Sequence, residues 1–406
     1  MNSLKYIKYT LKLIIAYILL NIFNRDLYKK NIWLIGEKPL ESRDNGYHLF
    51  KYMREEHKEL NVYYVIKEGS VDYEKIKQYG NIIDHSSMKH CIYWLACKYD
   101  INSQSGGASP FRQLNRKYLK MIKILKNPKQ RGIYLKHGIH KDEMNHANLD
   151  YSNTDFSLVC CGAKREQEFI MNTYGYPETV AQLLGLCRFD NLHNPSIKTE
   201  KQILIMPTFR SWLKSNNVNA DYVEENDKEK FLQSEFFNIY TSLLTNKKLQ
   251  ELLIEYDYKL IFYPHYSLQN YISLFKKLEN DRVTIASRQE YDVQNLLMES
   301  SLLVTDFSSV FFDFAYMLKP EIFFQFDEEK YRQNHYQKGY FSYANDAFGP
   351  VVKTVEDVVS NIEKYLKSNM KIEEKYLKRN NEFFTVRDNR NCWRTYKAIM
   401  NVDKIK

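Results

Sequence analysis

From Lys30 to about residue 370 the chain alternates short apolar runs with longer stretches in which apolar residues recur at helical spacing. Ile32 to Ile35, Val62 to Ile66, Ile82-Ile83, Tyr99 to Ile101, Ile133 to Leu135 and Phe156 to Cys160 read as a first series of strands. The pattern restarts after about residue 195. Its strands are Ile203 to Met206 (closed by Pro207), Lys259 to Tyr263, Val283 to Ile285, Leu302 to Thr305 and Ile322 to Phe326. Strands alternating with helices predict parallel sheets joined by right-handed crossovers. The spacing predicts helices over Glu235 to Tyr258, over Val310 to Leu318, and through Val355, Val358, Val359, Ile362 and Leu366. Leu213 to Lys230 is polar and acidic and reads as a surface loop, and Phe348 to Val352 as a turn.

Two series of similar length predict an α/β protein of two Rossmann-like domains facing a cleft, residues 31–190 and 191–370, with a helical tail over 371–406. Residues 1–30 stand apart. A greasy stretch from Leu11 to Leu20 is preceded by Lys5, Lys8 and Lys12 and followed by Arg25, Lys29 and Lys30. That apolar run is short for a span, which needs about 20 residues. No small-residue cleavage site follows it. It reads as an interfacial helix on an anionic cytoplasmic leaflet, with a soluble helix packed on the domain and a true span or signal as the alternatives.

Composition changes the picture in two places. A formal net charge of +9 fits nucleic acid, an anionic membrane or a polyanionic substrate. With neither zinc-finger spacing nor an RNP-type aromatic motif, nucleic acid is not the expected partner. The six cysteines form no CxxC pair and read as small core residues in a reducing compartment.

Ligands of such sheets bind beyond the carboxyl ends of the strands, so motifs at strand ends carry the weight. Tyr134 to Lys141 places His137 and Gly138 just after a strand: a general-base candidate beside a residue that lets a ligand approach. His140 and His146 follow in the same stretch. Phe262 to Tyr266 ends a strand at His265, which would contact phosphate or protonate a leaving group. Thr305-Asp306-Phe307-Ser308-Ser309 leads into a helix carrying Asp313, and its hydroxyls and helix N-terminus suit a phosphate. Arg210, after the strand ending at Pro207, is placed to clamp phosphate. Arg188 and Asp190 follow Gly185 at the expected domain junction.

The order of these motifs resembles the CDP-glycerol glycerophosphotransferase family, the teichoic acid primases and polymerases. The resemblance rests on His137-Gly138, on Gly185 with Arg188 and Asp190, and on Pro207 to Arg210. It continues through His265, Thr305 to Ser309 with Phe312-Asp313, Lys319-Pro320, and Gly349-Pro350 with Thr354. It implies a GT-B-like fold. It also implies transfer of glycerol phosphate or ribitol phosphate from CDP-glycerol or CDP-ribitol to a lipid-linked teichoic acid or capsule polymer, with release of CMP. In that light His137 looks like the base on the attacking hydroxyl and His265 like a second histidine near the diphosphate. Gly138, Arg188, Arg210, Thr305, Asp306, Ser308, Ser309 and Asp313 look like substrate-binding residues. The family's place is the cytoplasmic face of the membrane, with peripheral attachment. No metal-ligand spacing and no cofactor motif appears, so none is expected. The rival readings are a GT-B glycosyltransferase of wall or capsule synthesis and a non-catalytic surface binder of anionic polymer.

Overall fold

The computed structural model describes residues 3–104, 106, 108–111, 118, 121–154, 156–214, 223–334 and 336–404. The two series of apolar runs form two sheets in which every paired strand is parallel. The first contains β1 (Trp33–Gly36), β2 (Val62–Ile66), β3 (Ile82–Asp84), β4 (Tyr99–Asn102), β5 (Arg131–Tyr134), β6 (Phe156–Cys161) and β7 (Ala181–Leu183), in the order β3-β2-β1-β4-β5-β6-β7. The second contains β8 (Gln202–Ile205), β9 (Lys259–Phe262), β10 (Val283–Ile285), β11 (Leu302–Thr305), β12 (Glu321–Phe324) and β13 (Val351–Val352), in the order β10-β9-β8-β11-β12-β13. Both orders run outward from their first strand and then reverse. This is the doubly wound arrangement, with a switch point between β1 and β4 and another between β8 and β11. Helices cover both faces, which is why strands such as β1, β8 and β11 are buried at every position and read as unbroken apolar runs.

Two compact units result. The first comprises Met1–Ile139, Asn145–Asn191 and Asp388–Lys406; the second comprises His140–Met144 and Leu192–Arg387. The chain thus enters the second unit just after His137, returns, and sends its last helix (Asn391–Asn401) back to the first. Asp190 explains that return. Its carboxylate accepts from the N–H groups of Asn391 and Cys392, both at 2.8 Å, and satisfies the start of the helix. Gly185 sits beneath it with φ +78, where a Cβ would fall 1.6 Å from the Asn391 Oδ1.

Some elements differ from the periodicity. Glu235 to Tyr258 is two helices, Glu235–Leu244 and Lys247–Glu255, because Asn246 caps the second by accepting from the Leu249 N–H. The acidic Leu213 to Lys230 stretch includes the start of a helix, Glu225–Leu232, while its residues 215–222 lie outside the described residues. Val351–Val352 adds an edge strand where a turn was expected. Gly349 permits it, since a Cβ there would meet the Glu321 carbonyl oxygen at 1.8 Å.

Helix α1 (Ser3–Phe23) is longer than the greasy run alone predicted, and by length and composition it is able to cross a membrane. It packs on the helix Met88–Ala96 through Leu13, Ala16 and Leu20, all fully buried. Its other side is also apolar: Ile7, Leu11, Ile14, Ile15, Ile18, Ile22 and Phe23 are exposed. All six cysteines are buried free thiols; burial pushes Cys91 up to about 11 and Cys161 up to about 12.

Candidate active site

In the first unit the site is built where β1 and β5 end. The turn after β1 leads into helix α2 (Asn45–Glu56), whose N-cap is Asp44. One Asp44 oxygen is 2.6 Å from the His137 Nδ1 and the other accepts from the Arg188 Nη1 at 2.9 Å. Arg188 also donates to the His137 carbonyl oxygen. Asn45, fully buried, donates to the Lys136 carbonyl at 2.8 Å and accepts from the Arg188 N–H at 3.0 Å. Three segments remote in sequence are thereby fixed around one imidazole. Burial alone would push the Asp44 carboxyl up, but the His137 ring and the Arg188 guanidinium outweigh it and hold Asp44 below the usual carboxylate range.

The left-handed backbone in this loop falls at Lys136 (φ 60) and not at Gly138, which is buried. The fully buried Lys136 ammonium is paired with Glu166, which also accepts from the Gly162 N–H at 2.7 Å. The chain therefore bends over a buried ion pair and turns His137 outward, leaving its side chain 67% exposed.

In the second unit the Thr305 to Ser309 loop lies at the switch point between β8 and β11. Its parts divide by accessibility. Ser308 and Ser309 are half-buried, while Thr305 and Asp306 are buried. The Thr305 hydroxyl donates to the Met206 carbonyl at 2.7 Å. Asp306 accepts from the N–H groups of Thr208 (2.8 Å) and Phe307 (2.6 Å). The following helix is Phe311–Tyr316, one and a half turns, so the hydroxyls and not a macrodipole are what the loop offers to an anion. Asp313 is buried in that helix beside Glu321, whose carboxyl is pushed well above its usual range by burial, with the Asp313 charge adding to it.

Arg210 is fully buried. Its guanidinium forks onto Asp327 at 2.7 and 2.8 Å, donates to the Thr208 carbonyl at 2.8 Å, and lies 2.9 Å from Asp306. The expected phosphate clamp is thus an internal cross-link supporting the Asp306 loop, because the carboxylates around it take its donors. Lys319 is likewise structural: it donates to the carbonyls of Leu297 and Ser300 at 3.3 and 2.8 Å, at the end of the helix Val293–Glu299. Thr354 caps the helix Val355–Lys367. Near the loop, Arg332 donates to Asp142 at 2.6 Å, and Asp142 also pairs with the buried Lys141.

The two histidines are held in opposite tautomers. A carboxylate at Nδ1 of His137 requires a proton there, which leaves the Nε2 lone pair bare. His265 accepts the Ser267 N–H at its own Nδ1 (3.2 Å), so its Nε2 carries the proton. The first is arranged to take a proton and the second to donate one. Asp44 and Asn45 escaped the sequence reading because the Asp44–His137 contact joins residues 93 apart. The available signal was an Asp-Asn-Gly N-cap opening a helix after a strand end. Among the described residues no group of three His, Cys, Asp or Glu side chains is arranged to hold a metal ion.

Comparison with known proteins supplies the chemistry to which such groups belong. The family model for CDP-glycerol:poly(glycerophosphate) glycerophosphotransferase matches residues 17–401. The chain belongs to this family. Over 389 residues it is 33% identical to the minor teichoic acid biosynthesis protein GgaB of Bacillus subtilis (strain 168), an alignment covering 95% of this chain and 41% of GgaB. The chain therefore spans about two-fifths of that relative's length. A 71-residue segment is 46% identical to the teichoic acid poly(glycerol phosphate) polymerase of the same organism, covering 18% of this chain and 9% of the polymerase. In structure, the wall teichoic acid polymerase TagF superposes with a TM-score of 0.65 at 16% identity, over 100% of this chain and 99% of that one. S. aureus MnaA, solved with UDP, superposes with a TM-score of 0.55 at 12% identity over 92% of this chain and 97% of that one. At these identities the two likenesses establish a shared fold of two parallel-sheet units.

Proposed function

We propose that this protein transfers glycerol phosphate or ribitol phosphate from a CDP-activated donor to a hydroxyl of a lipid-linked teichoic acid or capsule polymer, releasing CMP. Membership of the family supports the donor class. The relatives' names support the polymer: alongside GgaB and the poly(glycerol phosphate) polymerase stands a poly(ribitol-phosphate) polymerase of Bacillus spizizenii, 29% identical over 174 residues. TagF has been solved after soaking with CDPG. The observation that carries the reading is the bare Nε2 of His137, backed by Asp44 and turned to solvent.

In this reading His137 takes the proton of the acceptor hydroxyl as its oxygen bonds to the donor's β-phosphorus. The bond from that phosphorus to the bridging oxygen breaks, and the electron pair leaves with CMP. Phosphoryl transfer of this kind depends on positioning and charge stabilisation. Ser308, Ser309 and the Nε2–H of His265 are the groups assigned to the donor's phosphates. Thr305, Asp306, Asp313 and Arg210 support them from beneath, and Gly138 and Arg188 hold the base. The purified protein is expected to release CMP from CDP-glycerol or CDP-ribitol only when a lipid-linked acceptor is added. Release from one donor names the polyol. Absence of CMP from both, with a competent acceptor, would replace the reading with sugar transfer from a nucleotide sugar.

We further assign the outer face of α1 to the cytoplasmic membrane surface. Leu13, Ala16 and Leu20 keep the helix on the first unit while Ile7, Leu11, Ile14, Ile15, Ile18, Ile22 and Phe23 are exposed. Tyr118, bonded to Thr10 of α1, leads into a segment whose Met121 and Ile124 are also exposed, at 62% and 85%. A helix apolar on both sides, flanked by lysines, suits in-plane insertion. Wild-type protein is expected to float with vesicles containing anionic lipid, and Ile18→Glu with Ile22→Glu to leave it in the soluble fraction. Flotation unchanged in the double variant would remove this face from the interaction.

A further inference from the structure

The Asp44–His137 pair is only as good as the turn that presents Asp44. That turn is organised by a carboxyl with no part in the chemistry so far. Glu37 directly follows β1 and is 7% exposed. One oxygen accepts from the N–H groups of Tyr47 (2.6 Å) and Asp44 (3.1 Å), the other from those of Arg43 (3.0 Å) and Asp44 (3.1 Å). These are orphan donors at and before the start of α2, a twelve-residue helix whose N-cap is Asp44 itself. Gly46 leaves the room, since a Cβ there would lie 2.9 Å from the Glu37 Cγ.

Resting on the phosphotransfer reading above, we propose that Glu37 is the positioning residue of the base: by collecting the N–H groups of Arg43, Asp44 and Tyr47 it fixes the turn so that Asp44 meets the His137 ring. Glu37 bonds the turn and not the His137 ring. Its effect passes wholly through where the Asp44 carboxylate stands. A general base displaced by about 1 Å loses up to roughly a hundredfold in rate while the donor still binds.

The test measures kcat and donor KM for wild type, Glu37→Gln, Gly46→Ala and His137→Ala. Glu37→Gln puts an amide N–H against backbone N–H groups. It is expected to lower kcat about tenfold to a hundredfold with donor KM within about twofold. Gly46→Ala, compatible with the helix, pushes Glu37 from its seat and is expected to show the same split without loss of folded protein. Wild-type kcat and donor KM in Gly46→Ala would overturn the proposal, whether Glu37→Gln folds or not. Retained activity in His137→Ala would instead overturn the reading of the base, so the two failures are distinguishable.

Discussion

His137→Ala is expected to remove acceptor-dependent CMP release by about 10²- to 10⁴-fold, the usual weight of a positioned general base. The variant loses an imidazole whose Nδ1 is claimed by the Asp44 carboxylate and whose side chain is turned to solvent. The fold is expected to survive, because a side chain 67% exposed contributes little packing. Donor KM is expected to change little, since the donor's phosphates are assigned to Ser308, Ser309 and His265. Steady-state CMP release at varied donor concentration measures both. Activity within a few-fold of wild type would move the base elsewhere.

The largest expected effect on stability is at Arg210. Truncation to alanine leaves Asp306 and Asp327 buried without the guanidinium that sits between them. Burial opposes the guanidinium charge, yet Asp306 and Asp327 together keep its pKa above the usual arginine value, so it is always present as the counter-charge. Breaking a buried pair by removing one partner costs about 3–5 kcal/mol. The loss is expected as a lower urea midpoint for the second unit. Arg210→Lys retains the charge but not the two-pronged contact to Asp327 and is expected to recover only part of it. A midpoint equal to wild type in Arg210→Ala would mean that the cross-link does not hold the Thr208 and Asp306 loops together. The same cross-link ties the second unit's loop to β8, so donor KM should rise in whatever folded fraction of Arg210→Ala remains.

Much of the architecture was legible along the chain. Apolar runs such as Val62–Ile66 and Leu302–Thr305 appear as the strands they predict. In doubly wound sheets burial on both faces demands continuous hydrophobicity, a local and strong signal. The strand-end motifs were legible for the same reason: a ligand site at carboxyl ends puts His137, His265 and Thr305 to Ser309 directly after apolar runs. β7 and β13 were missed because they bury little: Ala181 alone is buried in β7 and neither residue of the two-residue β13 is, so neither makes an apolar run.

What the chain could not state is which side chain faces which. Arg210 and Arg188 both look like substrate-binding arginines in the family's motif order. One is sealed among carboxylates and the other is bonded to Asp44 beside His137. Lys319 and Thr354 belong to the family's motif order, yet their partners are backbone groups at helix ends. Sequence by itself determined the two parallel sheets, the strand-end placement of the histidines and the family, because these follow from local periodicity and motif order. Only the tertiary structure decided that Asp44 bonds the His137 ring, that Glu37 gathers the N–H groups of the turn around Asp44, that the histidines hold opposite tautomers, and that the last helix returns to the first unit through Asp190. The Asp44–His137 and Asp190–Asn391 contacts join residues 93 and 201 apart, while the Glu37 turn and the His265 tautomer are set by backbone N–H groups close in sequence, whose directions are fixed only once the strands have ordered the loops at their ends.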